Sequence, residues 1–385
     1  MPLLLAEIVQ ALSQIAPLHL AEPWDKVGLL VEGDGRAIGR VLFTIDVTPE
    51  VLAEAKKLRV DLIVGYHPLL FKPLDRLDGA TWQGRVAIDA VRAGIAIYSP
   101  HTALDAVAGG VNDWLVECVA GGANTATDVR ALQGAAARGS NTHKIVTFVP
   151  ESALEQVRTS LAESKAGQIG AYSHCSFSSR GEGTFFGAEG SRPGEGSRPA
   201  VGTAGHLERI PEMRLEMSFH KRDLLAIVAA LRAAHPYEEP AFDIFPLEAP
   251  PADPRVGAGR VARLALAANS QEIAARLELA LGCSRIERTR RNPAITRSHE
   301  CFAVCAGSGA SLLETAATQG ATVFVTGELS HHDVLRAHAL GLEVLLAGHT
   351  NTERGYLPRL AAALQFAAPS IDCVLATADA DPLVR

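Results

Sequence analysis

Apolar, β-branched segments alternate with segments of helical periodicity at both ends of this chain. Strand patterns at residues 41–46 and 61–65 flank a helix pattern that Thr48 and Pro49 begin. The alternation returns in the last third, with strand patterns at residues 302–305, 322–325 and 343–347. Strands separated by helices predict largely parallel sheets with helices on both faces, so the expected class is α/β.

Composition narrows the functional classes. The 385 residues carry 36 basic and 43 acidic side chains, which gives a net charge of −7. A nucleic-acid binder usually has a basic face, so this composition does not suggest one. No apolar run reaches the roughly 18 residues of a membrane span, and the N-terminus lacks the basic region of a signal peptide. The six scattered cysteines form no C-x-x-C pair, which is typical of a reducing cytoplasm.

The pattern changes after about residue 130. A strand at residues 144–150 and a helix at 152–163 are followed by a Gly/Ser-rich stretch at 167–205, which is expected to be an exposed loop. A strand at 214–219, a helix at 223–234 and a strand at 242–245 come next, and two β-α-β halves in about a hundred residues predict a ferredoxin-like domain. The segment 246–259 is rich in Pro, Ala and Gly and is interpreted as a linker. We therefore expect core lobe 1 at residues 1–128, an inserted domain at 129–254 and core lobe 2 at 255–385.

One short segment carries a metal-binding pattern. Residues 343–347 predict a strand, a tight turn follows, and a helix begins near Thr350. His349 and Glu353 then lie one helical turn apart on one face, where an imidazole and a carboxylate can hold one divalent cation. The alternative is a capping box, in which Thr350 and Glu353 only close the helix N-terminus.

Similar residues follow other predicted strands. His67 and Asp105 each follow a strand, and a further group follows the strand at 322–325, namely Glu328, His331 and His332. Open α/β sheets build their sites at the carboxyl ends of strands, so these side chains are expected to meet. Nitrogen and oxygen ligands without thiolates suit Zn²⁺, Mn²⁺, Fe²⁺, Co²⁺ or Ni²⁺ without choosing among them.

Such a site supports hydrolysis. A divalent cation lowers the pKa of a bound water and polarises a carbonyl or phosphoryl oxygen. Glu328 or His332, if it lies nearby, would move protons.

Five motifs in order resemble those of the Nif-three-like family, whose members often carry the name GTP cyclohydrolase 1 type 2 homologue. They are Trp24-Asp25-Lys26-Val27-Gly28-Leu29, Tyr66-His67-Pro68-Leu69-Leu70-Phe71, Ser99-Pro100-His101-Thr102-Ala103-Leu104-Asp105, Thr326-Gly327-Glu328-Leu329-Ser330-His331-His332-Asp333 and Gly348-His349-Thr350-Asn351-Thr352-Glu353. The middle of the chain is similar to the PII/CutA-like insert of longer bacterial members. Its marker is Ala234-His235-Pro236-Tyr237-Glu238-Glu239-Pro240.

The resemblance implies two similar α/β lobes, an inserted ferredoxin-like domain and a toroidal homohexamer with two metal ions per subunit. The metal ligands it implies are His67, Asp105, His349 and Glu353. It implies a divalent-metal-dependent hydrolase acting on a nucleotide or related small molecule, with GTP ring opening as one reaction. The alternative is a non-catalytic metal-binding regulatory or scaffold protein that senses a ligand through its insert.

Two positions depart from the family pattern. Tyr66 stands where many members have histidine, and the eukaryotic branch of the family shares this departure. One ligand of the second ion is therefore missing or is a phenol, and one or two ions are expected. Lys26 stands where asparagine is usual. His101, Glu328 and His332 fit proton transfer or support of the ligands better than ligation.

A second histidine group lies in the insert. His235, Glu238 and Glu239 suit either a second metal site or a turn between a helix and a strand, and the flanking prolines favour the turn.

Overall fold

The computed structural model describes residues 3–72, 76–134, 141–170, 172–188, 202–248, 253–289 and 298–383. The chain forms two compact units, one made of Met1–Ala136 with Ala252–Arg385 and the other of Ala137–Pro251. The first is termed the core and the second the insert. Of the helices in the described ranges, none is long and apolar enough to cross a membrane.

The first segment of the core contains most of one sheet and its helices. Its elements are α1 (Leu5–Ile15), β1 (Gly28–Val31), β2 (Arg40–Thr44), α2 (Pro49–Leu58), β3 (Leu62–Gly65), α3 (Trp82–Ala93), β4 (Ala96–Ser99), α4 (His101–Ala106), α5 (Val111–Ala120), β5 (Ala126–Arg130) and β6 (Gln133–Gly134). As predicted, α2 begins at Pro49, and the Thr48 side chain accepts a hydrogen bond from Val51 N–H.

The insert follows in chain order. Its elements are β7 (His143–Val149), α6 (Leu154–Glu163), β8 (Phe177–Phe186), β9 (Leu207–Phe219), α7 (Leu224–Ala234) and β10 (Phe242–Pro246). The antiparallel sheet has the order β10-β7-β9-β8. Both helices supply apolar side chains to one core with alternate residues of β7 and β9, among them Ile145, Val157, Leu215 and Ile227.

The second segment of the core completes the first sheet and forms another. Its elements are β11 (Gly257–Ala258), β12 (Arg260–Ala268), α8 (Ser270–Leu281), β13 (Glu287–Arg288), β14 (His299–Ser308), α9 (Leu313–Thr318), β15 (Val323–Glu328), α10 (His331–Ala339), β16 (Glu343–Leu346), α11 (Asn351–Arg354), α12 (Leu357–Ala367) and β17 (Asp372–Leu375). The protein is therefore a mixed α/β structure with several sheets, and the prediction of an α/β class is confirmed at that level.

Each large core sheet has parallel strands at its centre. The five-stranded sheet has the order β1-β4-β3-β2-β17, with only β1 antiparallel to its neighbour. The six-stranded sheet has the order β13-β16-β15-β14-β12-β5, with β14, β15 and β16 parallel. The carboxyl ends of these parallel strands carry most of the predicted site residues, as expected for an open α/β sheet.

Each of the two large sheets contains one strand from the other segment of the core. The C-terminal strand β17 pairs with β2 of the first sheet, although the sequence prediction assigns it to lobe 2. Conversely, β5 ends at Arg130 and pairs with β12 of the second sheet. One apolar cluster contains residues of both sheets, such as Phe43 and Phe302, so the sheets share a hydrophobic core.

Candidate metal centre

His67 lies just beyond the buried strand β3. Backbone hydrogen bonds from Tyr66 N–H to Thr44 O and from His67 N–H to Ile45 O hold this exit against the end of β2. The Nδ1 atom of His67 lies 3.0 Å from Asp46 Oδ1, so Nδ1–H donates to the carboxylate in the neutral ring. The Nε2 atom is thereby directed away from Asp46, and it lies 3.3 Å from Glu353 Oε2.

His349 has the same arrangement on the second sheet. It follows β16, and its Nδ1 atom lies 3.0 Å from Oε1 of Glu328 at the end of β15. Its Nε2 atom lies 3.4 Å from Glu353 Oε1. Each histidine therefore has a carboxylate on Nδ1 and presents Nε2 to Glu353, an arrangement common among metal-bound histidines.

Glu353 lies between the two imidazoles. It belongs to the four-residue helix α11, and its side chain is only 3% exposed. Thr350 precedes that helix but its side chain makes no capping hydrogen bond, so the capping-box alternative does not describe this turn. Glu353 Oε2 is buried and makes no hydrogen bond, which is costly for a carboxylate oxygen and is relieved by a cation.

Gly307 leaves the space in front of these ligands. Its φ is +64°, and a Cβ atom there would lie 2.8 Å from Glu353 Oε1 and 3.1 Å from His349 Nε2. Only glycine adopts this conformation readily and also leaves the donor atoms uncovered.

Three of the four predicted ligands form one cluster. Donor atoms of His67, His349 and Glu353 all lie within 4.8 Å of one another, and no other group of three His, Cys, Asp or Glu residues in the described ranges does so. Two imidazole nitrogens and a carboxylate are a donor set that fits Zn²⁺ and related cations. Together with the unbonded oxygen and the glycine, this set fits a divalent cation.

Asp105 belongs to the same cavity but has a different partner. The Tyr66 hydroxyl donates to Asp105 Oδ1, which is buried beside it. Burial raises the pKa of Asp105 to about 6, against the opposing effect of the Tyr66 hydrogen bond. Tyr66 thus lies at the position of the missing histidine and engages the fourth predicted ligand.

The electrostatics of the cluster favour positive charge. Burial disfavours the imidazolium, but the carboxylates of Asp46 and Glu353 outweigh it and raise the pKa of His67 to about 10. Burial likewise opposes the charge on Asp46, yet His67 keeps the pKa of that carboxyl below its usual value.

His101 forms a third carboxylate–histidine pair. Its Nδ1 atom lies 2.8 Å from Asp25 Oδ1, and the Asp25 side chain is fully buried. The backbone φ of His101 is +33°, a rarely populated value that is typical of functional sites. Its ring centroid lies 5.4 Å from that of His67, and both residues line one cavity of about 730 Å³.

Other predicted residues lie elsewhere. His332 is exposed on α10 and forms a ring contact with His331, also exposed. In the insert, His235 Nε2–H donates to Phe148 O, and its Nδ1 accepts from Tyr237 N–H. Both ring nitrogens are used, and Glu238 and Glu239 are exposed, which supports the turn interpretation of this segment.

Comparison with known proteins identifies the family. The DUF34/NIF3 (NGG1p interacting factor 3) family model matches residues 3–382. The chain belongs to this family. A Bacillus subtilis protein named "GTP cyclohydrolase 1 type 2 homolog" is 35% identical over 343 residues, covering 89% of this chain and 87% of that protein. A Bos taurus protein named "NIF3-like protein 1" is 31% identical over 388 residues, covering 98% and 92%. The resemblance inferred from the five motifs is confirmed.

Solved structures agree with the fold. A Bacillus cereus protein related to NIF3 superposes with a TM-score of 0.64 at 29% identity and full coverage of both chains. The Staphylococcus aureus protein SA1388 gives a TM-score of 0.66 at 23% identity, covering 100% of this chain and 99% of that chain, a likeness of fold.

Sequence reasoning missed several residues of this NIF3-family site. Asp46 ends the β2 pattern, so the strand-exit argument that selected His67 would also have selected it. Asp25 lies within a recognised motif, but its bond to His101 joins segments distant in the chain. Cys305 lines the cavity, and burial raises the pKa of its thiol well above the usual range.

Proposed function

We propose that the protein is a divalent-metal-dependent hydrolase that acts on a nucleotide or a related small molecule. The ion would be held by Nε2 of His67, Nε2 of His349 and the carboxylate of Glu353. The observation that carries this proposal is the convergence of these atoms around a buried carboxylate oxygen that makes no hydrogen bond.

We assign one tightly held ion per chain. The hydroxyl of Tyr66 engages Asp105, the residue that the family pattern assigns as a fourth ligand. A second ion would have to displace this bond and would lack the histidine that many family members have. It is therefore expected to bind more weakly or not at all.

The residues around the ion have distinct tasks. The bound cation would supply an acidified water and polarise a substrate oxygen. Asp46 and Glu328 hold the two imidazoles in the tautomer that presents the Nε2 lone pair. His101, fixed by Asp25 and lining the same cavity, is placed to accept or deliver a proton. Glu328 is exposed and bonds to His349, and its predicted role in proton transfer stays a proposal. The predicted role of His332 in proton transfer remains a proposal.

GTP is the first substrate to test because relatives carry the name "GTP cyclohydrolase 1 type 2 homolog". The experiment measures metal content of protein purified without chelator, then hydrolysis of GTP by metal-depleted and reconstituted protein. We expect close to one equivalent of metal, its loss in a folded His349→Ala variant, and activity only in the reconstituted wild type. A metal-depleted protein with full activity would refute the mechanism.

A regulatory or scaffold protein is the second candidate. We assign the insert to the ferredoxin-like, PII/CutA-like class, supported by its β-α-β-β-α-β element order. It has its own cavity of about 640 Å³, lined by residues such as Phe148, Phe185, Tyr237 and Arg214. Stoichiometric metal without turnover of any nucleotide would favour this candidate.

We further propose a toroidal homohexamer in the cytoplasm. Support for the assembly comes from the family resemblance, and support for the location comes from six cysteines that are all free thiols. Sedimentation equilibrium of the full chain would give six times the mass of 40.6 kDa; a monomer would refute the assembly.

A further inference from the structure

Three large aromatic side chains lie exposed beside the candidate metal centre. Trp24 is 56% exposed, Phe71 46% and Trp82 42%, and all three line the cavity that holds His67, His349 and Glu353. They are termed the aromatic wall. Exposed aromatic surface is unfavourable in water, and its concentration inside a cavity indicates a binding role.

Two members of the wall, Trp24 and Phe71, are held in position before any ligand binds. Trp24 precedes Asp25, whose buried carboxylate bonds to His101 Nδ1 and to the backbone N–H of Thr102. The rings of Trp24 and Phe71 meet edge to face, with centroids 5.9 Å apart at 70°, and each centroid lies 6.2 Å from that of His101. A preorganised surface of this kind loses little conformational freedom when it binds.

The ring of His101 lies between the aromatic wall and the candidate metal ligands in this series of ring contacts. It contacts both Trp24 and Phe71 of the wall, and its centroid lies 5.4 Å from that of His67. His67 in turn lies 5.4 Å from His349. A planar ring against Trp24 therefore has its substituents, or its own edge, within reach of the cluster.

We propose that Trp24 and Phe71 bind a planar heteroaromatic ring, the size of a nucleobase, and that this ring presents the reacting bond to the metal. The inference rests on the proposed function, which already names a nucleotide, and adds the side chains that bind its ring. Rings favour stacked or edge-to-face contact with aromatic side chains, and bases of any identity stack in this way.

A protein segment or a second copy of the chain fits the wall less well. Its docking would remove water from the half-exposed ion pairs of His67 with Asp46 and of His349 with Glu328, and desolvating such charges is unfavourable. The volume of about 730 Å³ lies in the range of small-molecule sites.

The test measures binding of guanosine, adenosine and cytidine to the full chain by calorimetry, with and without Zn²⁺. Ribose 5-phosphate is the ring-free probe. Trp24→Ala and Phe71→Ala should each weaken nucleoside binding roughly ten-fold or more, because that is the usual loss when a stacking contact is removed. Trp24→Phe keeps an aromatic face and should stay within about three-fold of the wild type. The matched control is Phe366→Ala, an aromatic residue 89% exposed on α12 that does not line this cavity and should leave binding unchanged.

Zinc content and sedimentation are measured on every variant. Retained zinc with lost nucleoside binding in Trp24→Ala supports the proposal. It is overturned if no nucleoside binds the wild type, if ribose 5-phosphate binds as tightly as guanosine, or if the alanine variants bind like Phe366→Ala. It is also overturned if the alanine variants alter only the oligomeric state, or if zinc is lost in both Trp24 variants, since the wall would then be an interface or a structural element.

The proposed metal-dependent function and the proposed ring-binding role of the wall can be refuted independently. Zinc binding and hydrolysis without nucleoside affinity at the wall would remove only this inference. Nucleoside binding that depends on Trp24, in a protein that binds no metal, would remove only the metal-dependent function.

Discussion

The core and the insert each bring histidine and glutamate together, with opposite results. In the core, His67 and His349 direct Nε2 at Glu353, one of whose oxygens has no hydrogen bond. In the insert, His235 uses both ring nitrogens on backbone groups, and Glu212 Oε1 accepts from the Tyr237 hydroxyl. The residue types are alike, but Nε2 of His67 and of His349 faces a carboxylate in the core, whereas backbone groups occupy both ring nitrogens of His235 in the insert.

The difference shows what to look for when a site is inferred from side chains. A cavity of useful size is insufficient, because the insert has one of about 640 Å³ and the core one of about 730 Å³. What distinguishes the core cavity is that carboxylates occupy Nδ1 of its histidines and leave Nε2 for a ligand. A buried histidine with two satisfied nitrogens supports structure instead.

The largest expected effect is a loss of metal, and it distinguishes the histidine–glutamate group of the core from that of the insert. Glu353→Gln keeps the size of the side chain but removes the charge between the imidazoles, so metal content should fall from about one equivalent to background. Elemental analysis of folded protein measures it. The matched control in the insert, Glu212→Gln, should retain the metal. Equal metal in both variants would mean that the core cluster is not the site.

Restoring the family histidine should add metal rather than remove it. Tyr66→His replaces the phenol that donates to Asp105 with an imidazole and frees that carboxylate. We expect metal content to rise from about one toward two equivalents, with the second bound more weakly. Tyr66→Phe, which frees Asp105 without adding a ligand, should stay near one. A count of one in Tyr66→His would show that Tyr66 does not determine the stoichiometry.

Substitution of the carboxylates that bond to the histidine ligands should change the affinity for metal and leave the number of bound ions unchanged. Asp46→Asn and Glu328→Gln each weaken the hold on one imidazole, and the expected loss of metal affinity is about 10- to 100-fold. Competition with a chromogenic chelator gives the dissociation constants. Asp253→Asn, an exposed carboxylate of the core that pairs with Arg255, is the control and should bind metal like the wild type. Unchanged affinity in both variants would assign Asp46 and Glu328 no role in orienting the ligands.

Local sequence pattern was sufficient for much of the fold and part of the site. Buried apolar runs such as β3, in which all four residues are buried, predict parallel strands because both faces must be covered. His67, His349 and Glu353 follow from their positions after such strands. These inferences need only residues close together in the chain.

Pairings between distant segments were not predictable in this way. The position of β17 beside β2 joins residues more than 300 apart in sequence, and no local pattern specifies that partner. The bond from Asp25 to His101 and the exposure of Trp24 likewise depend on how separate loops meet. The Tyr66–Asp105 contact, which decides the expected metal count, is of the same kind.

The smallest expected effect tests the structural role of the insert histidine. Burial lowers the pKa of His235, so the unfolded chain binds a proton more readily than the folded insert. Protonation would turn Nδ1 from the acceptor of Tyr237 N–H into a donor facing a donor. The stabilisation is therefore fully present above the unfolded pKa of about 6.5 and declines as the pH falls below it.

His235→Gln should remove about 1 kcal/mol of insert stability at pH 7.5, the usual value of a hydrogen bond, and less at pH 5.5. Amide hydrogen exchange in β7 and α7 measures this loss. The three tryptophans, at positions 24, 82 and 114, all lie in the core, so their fluorescence on unfolding reports the core separately. A pH dependence of exchange in the insert that is identical in wild type and His235→Gln would contradict the assigned role. A matching change in metal content would contradict the separation of the two histidine groups.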